Sequence, residues 1–391
     1  MYPFEGYVID TVNCQSTGLQ INLRWDRRRK LRCPDCGESM GKNREKLLTA
    51  FDLGCGSGPV VYIRYPSIQG YCSSCRSYHS IRPAEIHPTR KATWRLMRFV
   101  SLLSRYVPFD AMSHLIEVPA ATAWRYDKTV LETDLPEPDF DGIKAIMVDE
   151  KSVRRGHKYV TLVLNAETGE LLHMAEAKKK ESLESFFDKL TEEQKATIKA
   201  VCIDRNGAYA AVVEEMLPQA EIVYDKFHIM ASLNKALDEV RRDEYRKATY
   251  ESKQVIKGQR FNLLRHPENL APSGELKLRG LLDLNEKLHI AYLLKDQFRF
   301  VWDYRKTGWA RRYLSQWIAW AREAGIEAIT HFANGMERDM ERIVSWCKHR
   351  ITNGKIESFN SKISKLIFKA RGIRSIPYLY LKLRQESLLH S

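Results

Sequence analysis

The order of hydrophobic and polar residues changes period several times along the chain. Residues 1 to about 87 hold short alternating runs, Tyr7–Ile9, Leu19–Leu23 and Val60–Tyr65, set among glycines and cysteines. That pattern predicts a small β-rich module with too little apolar sequence to fold unaided. From Thr89 the period lengthens: Trp94, Met97, Val100, Leu103 and Leu115 fall at helical spacings, and the helical reading continues to about Leu131. The stretch TDLPEPDFDG follows, with two prolines, four acids and nothing to fill a core, so a linker and a boundary near residue 138 are expected.

Beyond the linker, KAIMVDE, KYVTLVLN and LLHMAEA read as three strands joined by tight connections. A helix at Ser182–Leu190, a buried strand IKAVCID, a helix GAYAAVVEEML and a strand EIVYD complete the order β-β-β-α-β-α-β. Three hairpin-joined strands followed by βα units is the element order of a ribonuclease-H-like fold. From Phe227 to Trp346 the spacing is helical, broken around Gly258 and at HPENLAPSGE, which predicts a large helical insertion. Last, NGKIESFNSKISKLIFKARG sets Ile356, Phe359, Ile363 and Leu366 on one stripe of a helix and Lys362, Lys365 and Lys369 on another. No internal repeat or low-complexity tract is found.

Charge narrows the choice of partner. The 391 residues allow two or three folded units, and Lys and Arg outnumber Asp and Glu by 63 to 49, a formal net charge of +14. Contacts to phosphates release counterions, so nucleic acid leads the polyanions that such a surface would favour. An anionic membrane surface could use the same charge, but no apolar run approaches the roughly 20 residues needed to span a bilayer. MYPFEGYVID lacks a basic region followed by an apolar one, so no secretion signal is read there and a cytoplasmic protein is expected. Reducing conditions in that compartment turn paired cysteines towards metal binding or redox chemistry.

Cys33-Pro-Asp-Cys36-Gly and Cys72-Ser-Ser-Cys75 are two C-x-x-C knuckles, and a two-residue gap lets both thiolates reach one tetrahedral zinc ion. The long loop between them leaves Cys55 or His79 as a substitute for one ligand; the plain alternative is four buried or redox-active cysteines. A closed four-cysteine site is structural rather than catalytic. Beside it, RWDRRRKLR carries Arg27, Arg28 and Arg29, which suit phosphate contacts or simply solvate a face. Within Phe109–Leu131, two helical segments flank the turn EVP in the form of a helix-turn-helix, with Thr122, Arg125 and Lys128 projecting outward. An ordinary helical hairpin would have the same sequence pattern. The fold expected is therefore an α+β / α/β multidomain one. It comprises a zinc-binding domain at 1–87, a helix-turn-helix segment at 88–135 and a ribonuclease-H-like core at 139–391, with its helical insertion at about 229–346.

Asp149 ends KAIMVDE and Asp204 ends IKAVCID, so parallel neighbouring strands would present both carboxylates at one edge, where hard cations such as Mg²⁺ or Mn²⁺ bind oxygen. Glu150 competes with Asp149, since alternation lets only one of them face the site, and the apolar run does not decide between them. Glu357, in the first turn of the late helix, is the choice for a third acid. Two metal ions would serve an in-line displacement without a covalent protein intermediate. Each acid taken singly could be a turn, cap or helix-dipole residue. Asp225 and His228, three apart after a strand, are auxiliary candidates, and His228 could equally satisfy a helix start. Lys362, Lys365 and Lys369 lie in a run without acids between Glu357 and Glu386, a field suited to a nucleic-acid strand or a plain basic surface.

These residues together resemble the ISL-three family of bacterial insertion-sequence transposases. The resemblance is carried by both cysteine knuckles, Val148-Asp149-Glu150, Asp204 followed by Ala208-Tyr209, and Asp225-Lys226-Phe227-His228. It continues through LLRHPENL, Trp302-Asp303-Tyr304-Arg305 and RITNGKIESFNSKISKLIFKARGI. It implies an N-terminal zinc domain, a helix-turn-helix and a DDE core with a helical insertion. Asp149, Asp204 and Glu357 are then the metal-binding acids, and Asp225 and His228 the associated pair. The function expected is binding of an element's terminal inverted repeats, metal-dependent cleavage there and strand transfer to target DNA. At least two copies are expected in a nucleoid-associated DNA complex. The alternative is a catalytically silent DNA-binding regulator of the same descent; a tyrosine or serine recombinase lacks a nucleophile set among arginines.

Overall fold

The computed structural model describes residues 4–388 except 16–17, 55–60, 155–157, 177–179, 266, 352–353, 371–372 and 374. Cys55, Arg371 and Arg374 lie outside the described residues. The chain divides into two compact units, one of 1–136 with 366–385, the other of 137–365 with 386–391. Among the described residues no helix is long and apolar enough to cross a membrane.

The first unit opens on a five-stranded sheet of β1 (Tyr7–Gln15), β2 (Gly18–Trp25), β3 (Gly41–Asp52), β4 (Val61–Cys72) and β5 (Ser77–Ile81). Its order is β1-β2-β4-β3, with β5 also paired to β4. Sequence patterning anticipated β1, β2 and the start of β4 but not β3 or β5. β3 is mostly exposed and reads GKNREKLLTAFD, so it has no apolar alternation to reveal it; antiparallel pairing to β4 along its whole length sets its conformation. Phe4, Tyr7, Leu23, Ala50, Ile63, Tyr65 and Ile86 form the main apolar cluster of the module.

Three helices follow, α1 (Trp94–Ser104), α2 (Phe109–Ile116) and α3 (Ala120–Asp134). Thr93 caps α1 by accepting from the Leu96 N–H, and its own hydroxyl donates to buried Asp52, which Arg95 pairs at 2.8 Å. Glu117, with φ of 53°, ends α2 in the left-handed region and turns the chain towards Pro119 at the head of α3. Met97, Val100, Met112 and Ala123 make the common core. Ile376–Ser387, the last helix, joins this unit: Tyr378 donates to fully buried Asp127 at 2.5 Å, and Lys382 pairs with the same carboxylate at 3.4 Å.

The second unit is built on a sheet in the order β10-β9-β6-β7-β8. β6 (Ala145–Arg154), β7 (Lys158–Asn165) and β8 (Leu171–Glu176) form an antiparallel meander, and β9 (Ala200–Ile203) and β10 (Glu221–Tyr224) add parallel to β6. β9 is buried at every position, which is why it reads as an unbroken apolar run. Helix α4 (Lys180–Phe187) packs on β7 and β8; α5 (Glu192–Thr197), started by a Thr191–Gln194 capping box, was not anticipated. α6 (Gly207–Met216) leads into β10, and α7 (Lys226–Lys247) begins the helical stretch, which runs to His349.

That stretch has its own aromatic core, in which Phe298 meets Trp317 edge-on at 4.8 Å and Trp302 meets Trp346 at 5.5 Å. Its last helices cover the outer edge of β10: Ser345 donates to the Ile222 carbonyl at 2.8 Å and Arg342 to the Tyr224 hydroxyl at 2.7 Å. The late helix, Gly354–Lys369, buries Ile356, Phe359 and Ile363, the stripe read from sequence.

Candidate active site

Three neighbouring strands carry carboxylates at one level: Asp204 and Asp225 directly follow β9 and β10, whereas Asp149 lies midway along β6, which stays paired to β7 beyond it, and not at a strand end as the sequence pattern suggested. β6 and β9 pair in register through Met147 with Cys202, and β9 and β10 through Ile203 with Tyr224. Continued past the last paired residues, that register sets Asp149, Asp204 and Asp225 side by side where β9 and β10 stop and β6 runs on, and side chains in register share a face. The Asp225 N–H extends the ladder by donating to the Ile203 carbonyl at 3.0 Å. Beneath them, burial pushes the Cys202 thiol well up, and the charges of Asp225 and Asp149 push it further.

The three acids differ in surroundings. Asp149 is half-buried; its Oδ1 accepts from the Glu150 N–H at 2.8 Å and its Oδ2 from Asn360 Nδ2 at 2.6 Å. Asp225 is 3% exposed and caps α7, accepting from the Phe227 N–H at 2.8 Å on Oδ1. His228 Nε2 stands 3.5 Å from Asp225 Oδ2, which accepts no hydrogen bond among the described residues. Burial pushes the Asp225 carboxyl up to about 6 against the Phe227 amide and His228, and the charge of Asp149 adds to the rise. Asp204 is half-buried, and the turn after it is held by Asn206, which accepts from the Ala208 N–H at 3.0 Å and donates to Glu150 at 3.3 Å. Glu150 thus serves the turn, while its neighbour Asp149 meets the late helix.

Glu357 is exposed in the first turn of the late helix, and Asn360, one turn on, reaches Asp149. Among the described residues Asp149, Asp204 and Glu357 do not form a group whose ligand atoms all lie within 4.8 Å of one another. The donor set nonetheless fits a hard cation: every donor is a carboxylate oxygen, and among the described residues neither Asp149 nor Asp225 is paired with a lysine or arginine.

Sequence reading overlooked two residues here. Asn360 could have been found by its spacing of three from Glu357, which puts both on one helix face. Arg205, directly after Asp204, is bound through Nε and Nη2 by Asp339 of the helical stretch, at 2.8 and 2.5 Å. Gly335 makes room for it, since a Cβ there would come within 2.9 Å of Arg205 Nη2. No local pattern marks that pair, because 134 residues separate its members.

The cysteines come together in the first unit. Cys33, Cys36, Cys72 and Cys75 have sulfurs all within 4.8 Å, with Cys33 to Cys75 at 3.8 Å and Cys36 to Cys72 at 3.5 Å. A tetrahedron of sulfurs about 2.3 Å from one zinc ion has edges of roughly 3.8 Å, so the cluster could hold that ion. Gly37, with φ of 76°, closes the first knuckle by donating to the Cys33 carbonyl at 2.9 Å. In the second, the Cys75 N–H donates to Cys72 Sγ, and that bond brings the Cys72 thiol down to about 7. His79 lies near Asp35 and Cys75 as a possible alternative ligand, but its Nε2 is engaged by the Ser77 hydroxyl at 2.7 Å.

The basic candidates are spread out. Arg27, Arg28 and Arg29 are exposed in the turn after β2, where Arg28 pairs with Asp26 at 3.0 Å and Arg29 with Glu5 at 3.8 Å. On α3, Arg125 is exposed, whereas Thr122 and Lys128 are half-buried and Lys128 pairs with Glu132 at 3.5 Å. Lys365 is exposed and Lys362 half-buried; Lys369 donates to the Arg105 carbonyl at the end of α1.

Comparison with known proteins agrees with the arrangement. A transposase family of the DDE, ISL-three type matches residues 146–383. The transposase of insertion sequence element IS1001 from Bordetella parapertussis is 30% identical over 356 residues, spanning 90% of this chain and 87% of that protein. The transposase of element IS1557 from two strains of Mycobacterium tuberculosis is 31% identical over 259 residues, spanning 60% of this chain and 58% of that protein. The matched region takes in β6, β9, β10, the helical stretch and the late helix, and the chain belongs to the ISL-three family of insertion-sequence transposases.

Proposed function

We propose that this protein cuts DNA at the ends of its insertion element and joins those ends to target DNA, using Asp149, Asp204 and Glu357 to hold divalent metal in a ribonuclease-H-like core. The observation that carries the reading is the register of β6, β9 and β10, which lines up Asp149, Asp204 and Asp225 while Asn360 ties the glutamate-bearing helix to Asp149. When bound, Mg²⁺ or Mn²⁺ would activate the attacking oxygen and stabilise the leaving one in an in-line displacement. Asp149 binds from the middle of β6, Asp204 from the end of β9 and Glu357 from the late helix. Asp225 orients His228, whose ring contacts a phosphate or the attacking water.

The same reading gives the first unit the task of recognising the terminal inverted repeats. The four cysteines hold a structural zinc, the turn with Arg27, Arg28 and Arg29 contacts phosphates, and α2 and α3 act as a helix-turn-helix with Arg125 towards the major groove. At least two copies assemble on paired ends. The test uses the purified protein, labelled element-end DNA and Mg²⁺. Asp204→Asn is expected to lower cleavage by a factor on the order of 10³ with DNA binding retained. Binding without any cleavage by the unmodified protein, across Mg²⁺ and Mn²⁺ concentrations, would instead identify a transposase-derived regulator.

A further inference from the structure

We infer that Asn360 is the positioning residue of the acid site: its amide clamps the late helix onto Asp149 and so sets where Glu357 is delivered. The inference rests on the metal-binding role proposed above for the acids. Asn360 Nδ2 donates to Asp149 Oδ2 at 2.6 Å, a short bond to a charged acceptor that links the late helix to β6. The other bond on Asp149 comes from the adjacent Glu150 N–H and carries no information about the helix. Asn360 Oδ1 is buried and accepts no hydrogen bond among the described residues, so Asp149 alone orients the amide.

Residue chemistry explains the choice. Asn360 follows Glu357 by three, so both lie on one face about a turn apart, and fixing one fixes the reach of the other. The apolar stripe of Ile356, Phe359 and Ile363 seats the helix and Lys355 ties its first turn to the Ala166 and Glu167 carbonyls, but neither contact reaches the acids. The directional hydrogen bond to Asp149 does. A lysine could make the same contact but would neutralise Asp149, an aspartate would repel it, and a leucine would offer no donor. An uncharged amide restrains the carboxylate while leaving its charge for a cation.

The experiment measures Mn²⁺ binding to the full chain by calorimetry, together with the Mn²⁺ dependence of element-end cleavage. Asn360→Ala is expected to weaken Mn²⁺ binding about tenfold and to raise the half-maximal Mn²⁺ for cleavage by the same factor, with most of the rate recovered at saturating metal. A merely structural role would lower the rate at every metal concentration, and that result would overturn the inference, as would Mn²⁺ affinity and cleavage equal to those of the unmodified protein. Should alanine cost the fold, Asn360→Ser keeps a donor on a shorter arm and is expected to fall between the two. Asp149→Asn is measured in parallel. If it loses the ion while Asn360→Ala keeps it, the clamp alone is wrong; if it too binds Mn²⁺ normally, the acids are not the metal site.

Discussion

Asp127 and Asp225 are both buried carboxylates, and their surroundings are opposite. Asp127 is fully enclosed and receives Ser101 Oγ at 2.6 Å, Tyr378 OH at 2.5 Å and the ammonium of Lys382 at 3.4 Å, so its charge is matched inside the first unit. Asp225 has one backbone donor on Oδ1 and a histidine at 3.5 Å, and its carboxyl is pushed up to about 6. The first carboxylate is satisfied by its partners and the second is not, and the role proposed for Asp225 draws on that difference. His173 gives a clean test of the same physics away from the acids. It is buried on β8, Lys189 donates to its Nδ1 at 3.2 Å, and burial followed by the Lys189 charge brings its pKa down to about 4. An imidazole that titrates lower in the folded than in the unfolded chain contributes stability that is complete above about pH 6.5 and is lost as pH falls towards 4. Replacing His173 with Asn is therefore expected to flatten the fall of the melting temperature over that window, and an unchanged pH slope would show that the ring is not held neutral.

At the scale of elements, what could be read from sequence followed what is buried. β7, β9, β10 and the first half of β6 are apolar because the sheet is covered, so their order and the acids that close those runs were visible in the pattern, whereas the polar second half of β6 was not. β3 and β5 were invisible because tertiary pairing, not burial, makes them strands. Asn360 was legible only in part: its spacing from Glu357 marks a shared helix face, but an uncharged polar residue there looks like solvated surface until the acceptor it meets, 211 residues away, is known. The cysteine knuckles were readable because their spacing is itself the geometry. They also make the sharpest element-scale prediction. Cys33, Cys72, Leu31, Met40 and Ile68 form one small cluster, so a zinc ion held as proposed would be part of the core of that corner. Cys33→Ser is expected to lower bound zinc from one equivalent to nearly none and to abolish the melting transition of the first unit, while the second unit melts unchanged. Zinc retained at one per chain, measured by mass spectrometry, would show that the ion lies elsewhere.

On the scale of the whole molecule, the helical stretch is fastened to the sheet of the second unit at positions beside the carboxylates. Lys226, between Asp225 and the rest of α7, lies over the rings of Trp302 and Trp346 at 5.8 and 5.5 Å, and Arg205 carries the turn after Asp204 to Asp339. Both partners of the latter pair are largely shielded from water, with side chains 26% and 18% exposed. Removing Asp339 leaves the guanidinium partly buried without its acceptor, and Asp339→Ala is expected to cost about 1–3 kcal/mol in the second unit. In the double variant with Arg205→Ala the losses should be less than additive, and strict additivity in denaturant melts would mean that the two side chains do not depend on each other.

The late helix, Gly354–Lys369, is shared, since its residues through Lys365 belong with the acids and those from Leu366 belong with the sheet, α1 and α3 of the first unit. The polypeptide therefore crosses between the units three times, and no single cut yields both as intact pieces. A fragment ending before residue 366 would strip Asp127 of Tyr378 and Lys382, so damage inflicted near the carboxyl end would surface as a defect in the amino-terminal half.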